Sequence, residues 1–240
     1  MQRVATRARH VASSVLVIAL FSIGARCAAQ DVEAPASPGG GRGPIVAPSS
    51  YLQLNVPVQE RVGLNVYGFY IGNVDVPSAQ IDVPIRLTKF LKVTPSYLYV
   101  SMPASALDEV VSKPVRFPDG VDEQQFRVDG TVKFSLRGFD ISERNMYVRR
   151  FLSTGDINRY RNRVQAAYPL VLDGHPLQPF ASYEAFYERQ NGGWNRNRVW
   201  TGVNVPINKR LAIQPSYLWE NTRGLRDLNY VMLGVIVNTK

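Results

Sequence analysis

The segment "RYRNRVQAAYPLVLDGHPLQPFASYEAFYE", residues 159–188, decides the fold of this chain. It contains two runs of alternating side chains on either side of Asp173-Gly174, a dipeptide typical of a two-residue hairpin turn. Successive side chains of a strand point to opposite faces, so the arginines of the first run share one face. The segment therefore predicts a β-hairpin with a strongly charged face.

The turn also predicts the register of this hairpin. With Asp173-Gly174 as the loop, Arg163 falls opposite Glu184 and Arg159 falls opposite Glu188. Charges this dense cannot face lipid, where an arginine at the bilayer midplane costs about 2 to 4 kcal/mol, so they line an interior. Continuing the pairing into the next strand places an arginine beside Glu188 from the other side. We therefore predict a lumen charge ladder of Arg159, Arg161, Arg163, Glu184, Glu188, Arg196 and Arg198, with Arg196 as the residue beside Glu188.

This ladder has two interpretations. In the first, neighbouring rows of arginine and glutamate hold the strands together and fill the lumen. In the second, the same residues form a charged constriction or a solute site. The structural interpretation is favoured, because a complementary ladder neutralises itself and tends to plug a narrow barrel.

Alternation of this kind continues from residue 50 onward, whereas helical periodicity is nearly absent. Many of the alternating runs reach the roughly nine to eleven residues with which a tilted strand crosses a bilayer. The candidate strands are 50–58, 61–71, 79–87, 90–101, 123–134, 138–151, 157–171, 176–189, 195–207, 211–220 and 228–239.

The connections between these candidate strands alternate between tight turns and longer links. This layout is typical of outer-membrane barrels, which have tight periplasmic turns and longer external loops. We therefore predict an all-β fold, an antiparallel up-and-down transmembrane β-barrel. Because bacterial barrels usually close with an even number of strands, we expect about 12 strands, with 10 as the alternative.

The start of the chain predicts export. Residues 1–10 contain three arginines, an apolar run covers residues 11–23, and Cys27, Ala28 and Ala29 are small residues suited to cleavage. We predict a signal peptide over residues 1–29. The domains that follow are a flexible leader rich in proline, glycine and alanine over residues 30–48 and a β-barrel domain over residues 49–240.

One phrase occurs twice, as "VPIRLTKFLKVTPSYLYV" at residues 83–100 and as "VPINKRLAIQPSYLWE" at residues 205–220. Each copy alternates through a turn, so each predicts a hairpin with prolines close to its tight end. The aromatic residues of the phrase match the belt that barrels place at the membrane interface. We predict an aromatic girdle of Tyr97, Tyr99, Tyr217 and Trp219.

Enzymatic, metal and nucleic-acid functions find little support in the composition. The chain has two histidines and one cysteine, and after cleavage at Ala29 only His175 remains. A nucleophile and its base are therefore not recognisable, and we predict no catalytic residue, no enzyme activity, no metal site and no cofactor. The formal net charge of +9 is not accompanied by any nucleic-acid-binding motif, so nucleic acid is not an expected partner.

The segments "RYRNRVQAAYPL", "NRNRVWTGVNVPINKRL" and "YLWE" resemble the arginine-rich strand, the Asn-Arg-x-Arg strand and the Tyr-Leu-Trp strand of the bacterial DUF2490 family, a domain of unknown function. The resemblance is best over residues 123–240 and looser over residues 50–101. It implies an outer-membrane barrel-like fold, and no activity comes with it.

These observations predict an outer-membrane β-barrel of uncharacterised role, either structural or a narrow or plugged porin-like solute channel. The alternatives are a soluble periplasmic β protein that binds a lipid-like ligand and an outer-membrane lipid-modifying enzyme. The expected location is the cell outer membrane of a Gram-negative bacterium, with the periplasm as the alternative. The expected partners are the outer-membrane lipid bilayer and the insertion machinery, and the sequence does not identify a small solute.

Overall fold

The computed structural model is almost entirely β-strand and describes residues 44–72, 75–103, 121–152 and 155–239. The predicted signal peptide, residues 1–29, and the leader up to residue 43 lie outside the described residues. The rest of the predicted leader is not all linker, because the first strand already begins at Ile45.

The strands follow one another with few interruptions. A single 3-10 turn, Arg189–Asn191, accompanies them in the described part of the chain. In chain order the strands are β1 (Ile45–Pro57), β2 (Gly63–Ile71), β3 (Val76–Asp82), β4 (Ile85–Arg86), β5 (Leu91–Met102), β6 (Val121–Leu136), β7 (Phe139–Leu152), β8 (Ile157–Ala167), β9 (Leu170–Leu172), β10 (His175–Glu188), β11 (Gly193–Pro206), β12 (Leu211–Thr222) and β13 (Leu228–Asn238).

Eleven of these strands close into a barrel within the described residues, so the predicted all-β barrel class is confirmed. The short strands β4 and β9 pair with β5 and β10 beside the main path. Neighbours along the chain pair antiparallel, whereas β1 and β13 pair in parallel, from Ile45 opposite Leu228 to Asn55 opposite Asn238. The number is therefore eleven rather than the expected twelve or ten. An odd number of alternating strands leaves the first and the last strand pointing the same way, and a parallel pair closes the sheet.

Prolines divide two of the predicted strands. The run 79–87 is split into β3 and β4 before Pro84, and the run 157–171 is split into β8 and β9 before Pro169. A proline has no N–H group to donate to a neighbouring strand, so regular pairing stops there. A backbone hydrogen bond to the neighbouring strand persists just before each of these prolines. The N–H of Val83 donates to the carbonyl of Pro95, and the N–H of Tyr168 donates to the carbonyl of Pro179, each at 2.9 Å.

Two-residue turns join several strands at one end of the barrel. Arg137 and Gly138 have φ values of 51° and 87°, and Asp173 and Gly174 have values of 49° and 81°. Positive φ at both central positions is the geometry of the hairpin turn that Asp-Gly favours. His175 pairs with Leu172, as the sequence predicts. We call this end the turn side, and we call the opposite end, which carries the longer connections, the loop side.

The barrel wall has its polar side chains on the inner face and its apolar side chains on the outer face, which is the reverse of a water-soluble protein. In β6, Arg127 and Asp129 are only 8% and 6% exposed, whereas Phe126 and Val128 between and beside them are 57% and 52% exposed. Other strands repeat the pattern, so charged side chains point inward and apolar side chains point outward. The large apolar side chains exposed on the outer face include Val46, Leu52, Val66, Ile81, Phe126, Val128, Val132, Val164, Val231 and Leu233.

No helix in the described ranges is long and apolar enough to cross a membrane.

Candidate functional site

Charged side chains cover one continuous part of the inner face. They come from six strands that are neighbours in the sheet, in the order β6, β7, β8, β10, β11 and β12. We call this surface the charged wall, and its residues are Glu123, Arg127, Asp129, Arg144, Arg150, Arg159, Arg161, Arg163, Glu184, Glu188, Arg196, Arg198 and Glu220.

The loop-side cluster of the charged wall balances two arginines with two glutamates. Arg150 donates from Nη2 to Glu123 Oε2 at 2.8 Å and from Nη1 to Glu188 Oε1 at 3.1 Å. Arg159 donates from Nε to the same Glu188 oxygen. The other Glu188 oxygen accepts a bond of 3.0 Å from Asn195 Nδ2. Both oxygens of this buried carboxylate are thus satisfied.

The central cluster surrounds a single carboxylate with three arginines. Arg144 Nη2 donates to Glu184 Oε1 at 2.7 Å, reaching across β8 to do so. Arg161 binds the same carboxylate in a two-pronged manner, with distances of 3.1 Å and 2.9 Å. Arg163 is the direct cross-strand neighbour of Glu184. The cluster therefore carries more positive than negative charge.

The third cluster joins β11 to β12. Glu220 forms an ion pair of 3.4 Å with Arg196 Nη1 and accepts a hydrogen bond from Arg198 Nε. Arg198 and Glu220 are also direct cross-strand neighbours. This cluster too has more arginines than carboxylates.

Phe186 connects the three clusters. Its side chain lies on the inner face of β10 between Glu184 and Glu188, and it is only 1% exposed. Four guanidinium groups lie over its ring, with carbon-to-centroid distances between 4.7 and 5.6 Å. Cations at this distance are attracted to an aromatic face. The four residues are Arg159, Arg161, Arg196 and Arg198.

The arginines are less deeply buried than the carboxylates that they bind. The side chains of Glu184 and Glu220 keep only 7% and 4% of their accessible surface. Their partners Arg144, Arg196 and Arg198 keep 17%, 20% and 27%. The surface that the wall presents to solvent is therefore cationic, although many of its charges are paired.

The structure brings most of the predicted ladder together. Arg163 lies opposite Glu184 in the register of β8 and β10, and Arg159 forms an ion pair with Glu188. The prediction that Arg196 lies beside Glu188 is wrong. The pairing of β10 with β11 shifts after Phe186, so Arg196 lies opposite Phe186 and its carboxylate partner is on β12.

Several members of the charged wall escaped the sequence-based prediction. Arg144 and Arg150 reach carboxylates two strands away, and such contacts do not follow from the pairing of neighbouring strands. The sequence does contain a signal for their position. Counting alternate residues from the Arg137-Gly138 turn places both arginines on the inner face of β7. Glu123 and Glu220 are likewise inward-facing and were not predicted.

The four predicted girdle residues lie on the outer face, nearer the loop side than the turn side. Tyr97 contacts Phe126 with ring centroids 5.1 Å apart and donates to Gln124 at 3.0 Å. Trp219 donates from Nε1 to Asp227 at 3.2 Å. Tyr99 and Tyr217 are 36% and 44% exposed, and Tyr217 donates to Asn229. Their role as a membrane girdle stays a prediction.

His175 lies exposed beside a tight turn, away from the charged wall. Among the described residues, no group of three or more His, Cys, Asp or Glu side chains could hold a metal ion.

A cavity of about 460 Å³ opens at the turn side of the barrel. Asn55, Asn65 and Asn238, which line it, belong to the inner faces of β1, β2 and β13. Asn55 and Asn238 are joined by a side-chain hydrogen bond of 2.9 Å. Besides these asparagines, the cavity is lined by Val56, Pro57, Gly63 and Lys209.

Comparison with solved structures found several similar chains, and two of them show the level of similarity. LpxR from Salmonella typhimurium shares 9% identity and a TM-score of 0.47, and the match covers 75% of this chain and 84% of that one. A loop L8 deletion mutant of OmpT, an outer membrane protein of Vibrio cholerae, shares 14% identity and a TM-score of 0.36, with 68% and 56% coverage. Among curated proteins, none matches this sequence.

The sequence-based prediction that this chain is not an enzyme is contradicted by these comparisons, because LpxR is an enzyme. Exclusion of catalysis rested on the small number of histidines and cysteines. A barrel of this kind can have an activity that composition alone does not reveal, so the composition gives no ground for excluding one.

The family comparison covers most of the barrel. Residues 50–229 match the family described as "Protein of unknown function (DUF2490)". The matched range includes every residue of the charged wall, and it confirms the resemblance carried by the arginine-rich strands. This chain belongs to the DUF2490 family.

Proposed function

We propose that this protein resides in the outer membrane of a Gram-negative bacterium and that its charged wall narrows the barrel into a constricted passage for small solutes. The observation that carries this proposal is the arrangement of three ion-pair clusters around the buried ring of Phe186. The same contacts have a structural role, because they join the inner faces of six neighbouring strands.

The outer face supports residence in a membrane. Apolar side chains such as Leu52, Phe126 and Leu233 are more than half exposed on strands of nine or more residues. In water such a surface would aggregate, whereas in a bilayer it contacts lipid. In this proposal the segment 1–29 directs export, and the outer-membrane insertion machinery places the barrel in the bilayer.

The inner face supports a constriction. Arg144 and Arg150 extend across a neighbouring strand to reach Glu184 and Glu188, so their side chains cover the wall rather than stand free. Phe186 adds an aromatic ring beneath this layer. Buried pairs of this type resist displacement, since removal of one partner typically costs about 3 to 5 kcal/mol. The interior is thus lined by ordered side chains.

Planar-bilayer conductance tests the proposal. The refolded or native full chain should give small, uniform conductance steps. Phe186→Ala should enlarge these steps, because it removes the ring on which four arginines rest. Tyr187→Ala is the matched control, since the neighbouring side chain points outward, and it should leave the step size unchanged. Phe186→Leu serves as a milder variant if the alanine variant does not assemble.

Two outcomes would contradict the proposal. A folded protein in the outer-membrane fraction that gives no conductance steps would rule out a passage and leave only the structural role of the wall. Recovery of the protein in the periplasmic fraction would rule out the membrane location itself.

A further inference from the structure

The central cluster has the largest excess of positive charge in the charged wall, with three arginines around one carboxylate. Arg144 on β7 and Arg163 on β8 are direct cross-strand neighbours on the inner face. Like charges in this arrangement repel and destabilise a sheet. The nearest carboxylate, Glu184, is already bound by Arg144 and Arg161 through both of its oxygens. An arginine is therefore left over in the central cluster.

Arg163 is that residue. In the part of the chain that the structure describes, it makes no side-chain hydrogen bond and no ion pair within 4 Å, although it is half-buried. Arg144 adds a second unsatisfied donor, because its Nε atom is buried without an acceptor. A buried donor without an acceptor is costly, so Arg144 favours a bound acceptor. Arg163 beside it has no protein acceptor among the described residues and is free to bind the same ligand.

The surroundings of these donors contain charges of both signs. Lys92 on β5 is half-buried on the same inner face. Two carboxylates, Asp129 and Asp82, also lie in this region, and among the described residues neither forms an ion pair or a hydrogen bond with Arg144 or Arg163. Asp129 accepts a hydrogen bond of 2.8 Å from Thr131, and Asp82 accepts one of 2.7 Å from Gln80.

An oxyanion is the ligand that suits such donors. Guanidinium groups present N–H donors in a planar fork that matches the oxygens of phosphate and carboxylate groups. Of these two groups, phosphate carries more negative charge and more acceptor oxygens, so one phosphate can bind two arginines at once. Arg163 is half-buried and lies four residues before the turn-side end of β8.

We propose that Arg144 and Arg163 bind a phosphate group inside the lumen. The inference rests on the proposed function only in requiring a lumen that water reaches. The phosphate could belong to a free anion or to the headgroup of a lipid, and the chemistry of recognition is the same in both cases.

Isothermal titration of the purified full chain in neutral detergent tests the site. The two probes are inorganic phosphate and dihexanoyl phosphatidic acid, each titrated against a sodium chloride blank of equal ionic strength. Binding should be weakened at least tenfold by Arg163→Gln. It should be unchanged by Arg149→Gln, because Arg149 is exposed on the outer face, where it pairs with Asp156 at 3.0 Å.

Thermal unfolding gives a second readout that does not depend on a binding signal. In chloride, Arg163→Gln should unfold at the same temperature as the unmodified chain or at a higher one, because the substitution relieves repulsion with Arg144. In phosphate, the unmodified chain should gain several degrees and the variant should gain none.

Binding of either probe that is lost in Arg163→Gln supports the site, and the tighter of the two probes identifies the source of the phosphate. Binding of neither probe, or equal binding by Arg163→Gln, would overturn the inference. Conductance decides the proposed function separately. A barrel that binds phosphate but does not conduct would support the phosphate site and contradict the passage. A barrel that conducts but does not bind phosphate would support the passage and contradict the phosphate site.

Discussion

At the scale of single residues, the interior is organised by carboxylates that are more deeply buried than their arginine partners. Glu188 retains 3% of its side-chain surface, and it is bound by Arg150, Arg159 and Asn195. Burial of a charge is tolerated only when it is paired and hydrogen-bonded. Each glutamate of the charged wall should therefore be sensitive to substitution.

Charge reversal at Glu188 tests this sensitivity. Glu188→Lys should lower the free energy of unfolding by about 3 to 5 kcal/mol, because it leaves Arg150 and Arg159 beside a third cation. A second substitution, Arg159→Glu, should recover part of the loss by restoring an oppositely charged pair. Recovery should be incomplete, since Arg150 stays in place. Urea-induced unfolding of the detergent-solubilised barrel measures these differences.

The exposed pair of Arg149 and Asp156 provides the control for that experiment. Both side chains are about half exposed, at 56% and 44%. Asp156→Lys should change the free energy of unfolding by no more than about 1 kcal/mol, as is usual for surface ion pairs. If Glu188→Lys were equally mild, or if Arg159→Glu only added to its effect, the buried pair would not stabilise the barrel.

The sequence predicted part of this network for a clear physical reason. The Asp173-Gly174 turn fixes the register of one hairpin, and with it the pairing of Arg163 with Glu184. Register does not fix contacts that cross an intervening strand, such as that of Arg144 with Glu184. Nor does it foresee the irregularity after Phe186 that redirects the next strand.

At the scale of elements, the barrel depends on the seam between its first and last strands. Tyr51 of β1 lies opposite Gly234 of β13 on the inner face. A Cβ atom at Gly234 would overlap Tyr51 Cζ at a separation that real Cβ atoms essentially never show. The Tyr51 hydroxyl continues past this glycine to donate to Gln214 on β12. The ring thus links three strands at the point where the sheet closes.

Gly234→Ala should weaken this closure. The added methyl group must displace the ring of Tyr51, and forced overpacking of this kind costs about 1 to 3 kcal/mol. Gly68→Ala is the matched control, because Gly68 faces outward on β2 with nothing within 4 Å of its added Cβ. The temperature at which the folded band disappears on SDS gels measures both. Equal loss in the two variants would show that the seam has no special packing.

Strand positions were predictable because alternation with period two persists through the whole barrel. All eleven barrel strands overlap an alternating run. Two features depend on more than the period. Pro84 and Pro169 end regular pairing inside otherwise continuous runs, and the parallel contact of β1 with β13 arises only when the sheet closes. Closure brings together residues 183 positions apart, such as Asn55 and Asn238, and no local pattern encodes that contact.

At the scale of the whole molecule, the distribution of polar and apolar side chains is inverted relative to a water-soluble domain. Charged residues such as Glu188 and Glu220 are among the most buried, whereas Phe126 and Val231 are more than half exposed. Outer-membrane barrels have this distribution. A bilayer around the molecule and a polar interior account for both halves of it.

This distribution predicts the behaviour of the protein during extraction. The protein should sediment with the outer membrane, require detergent for solubility, and migrate faster on SDS gels before boiling than after it. The reason is that a closed barrel has no free strand edges at which SDS can begin unfolding. Release by osmotic shock without detergent, with a single gel mobility, would indicate a soluble periplasmic protein.

The most direct test of an inverted barrel with a charged lumen is site-specific labelling of each face of the barrel wall in liposomes. The chain has one native cysteine, Cys27, which lies in the predicted signal peptide, so single-cysteine variants are simple to build. Val128→Cys should react with a membrane-dissolved maleimide and not with a membrane-impermeant one, and Arg198→Cys should show the opposite. If Val128→Cys reacted from water, or if Arg198→Cys reacted from lipid, the charged wall would not enclose a lumen and the proposed membrane orientation of the two faces would be wrong.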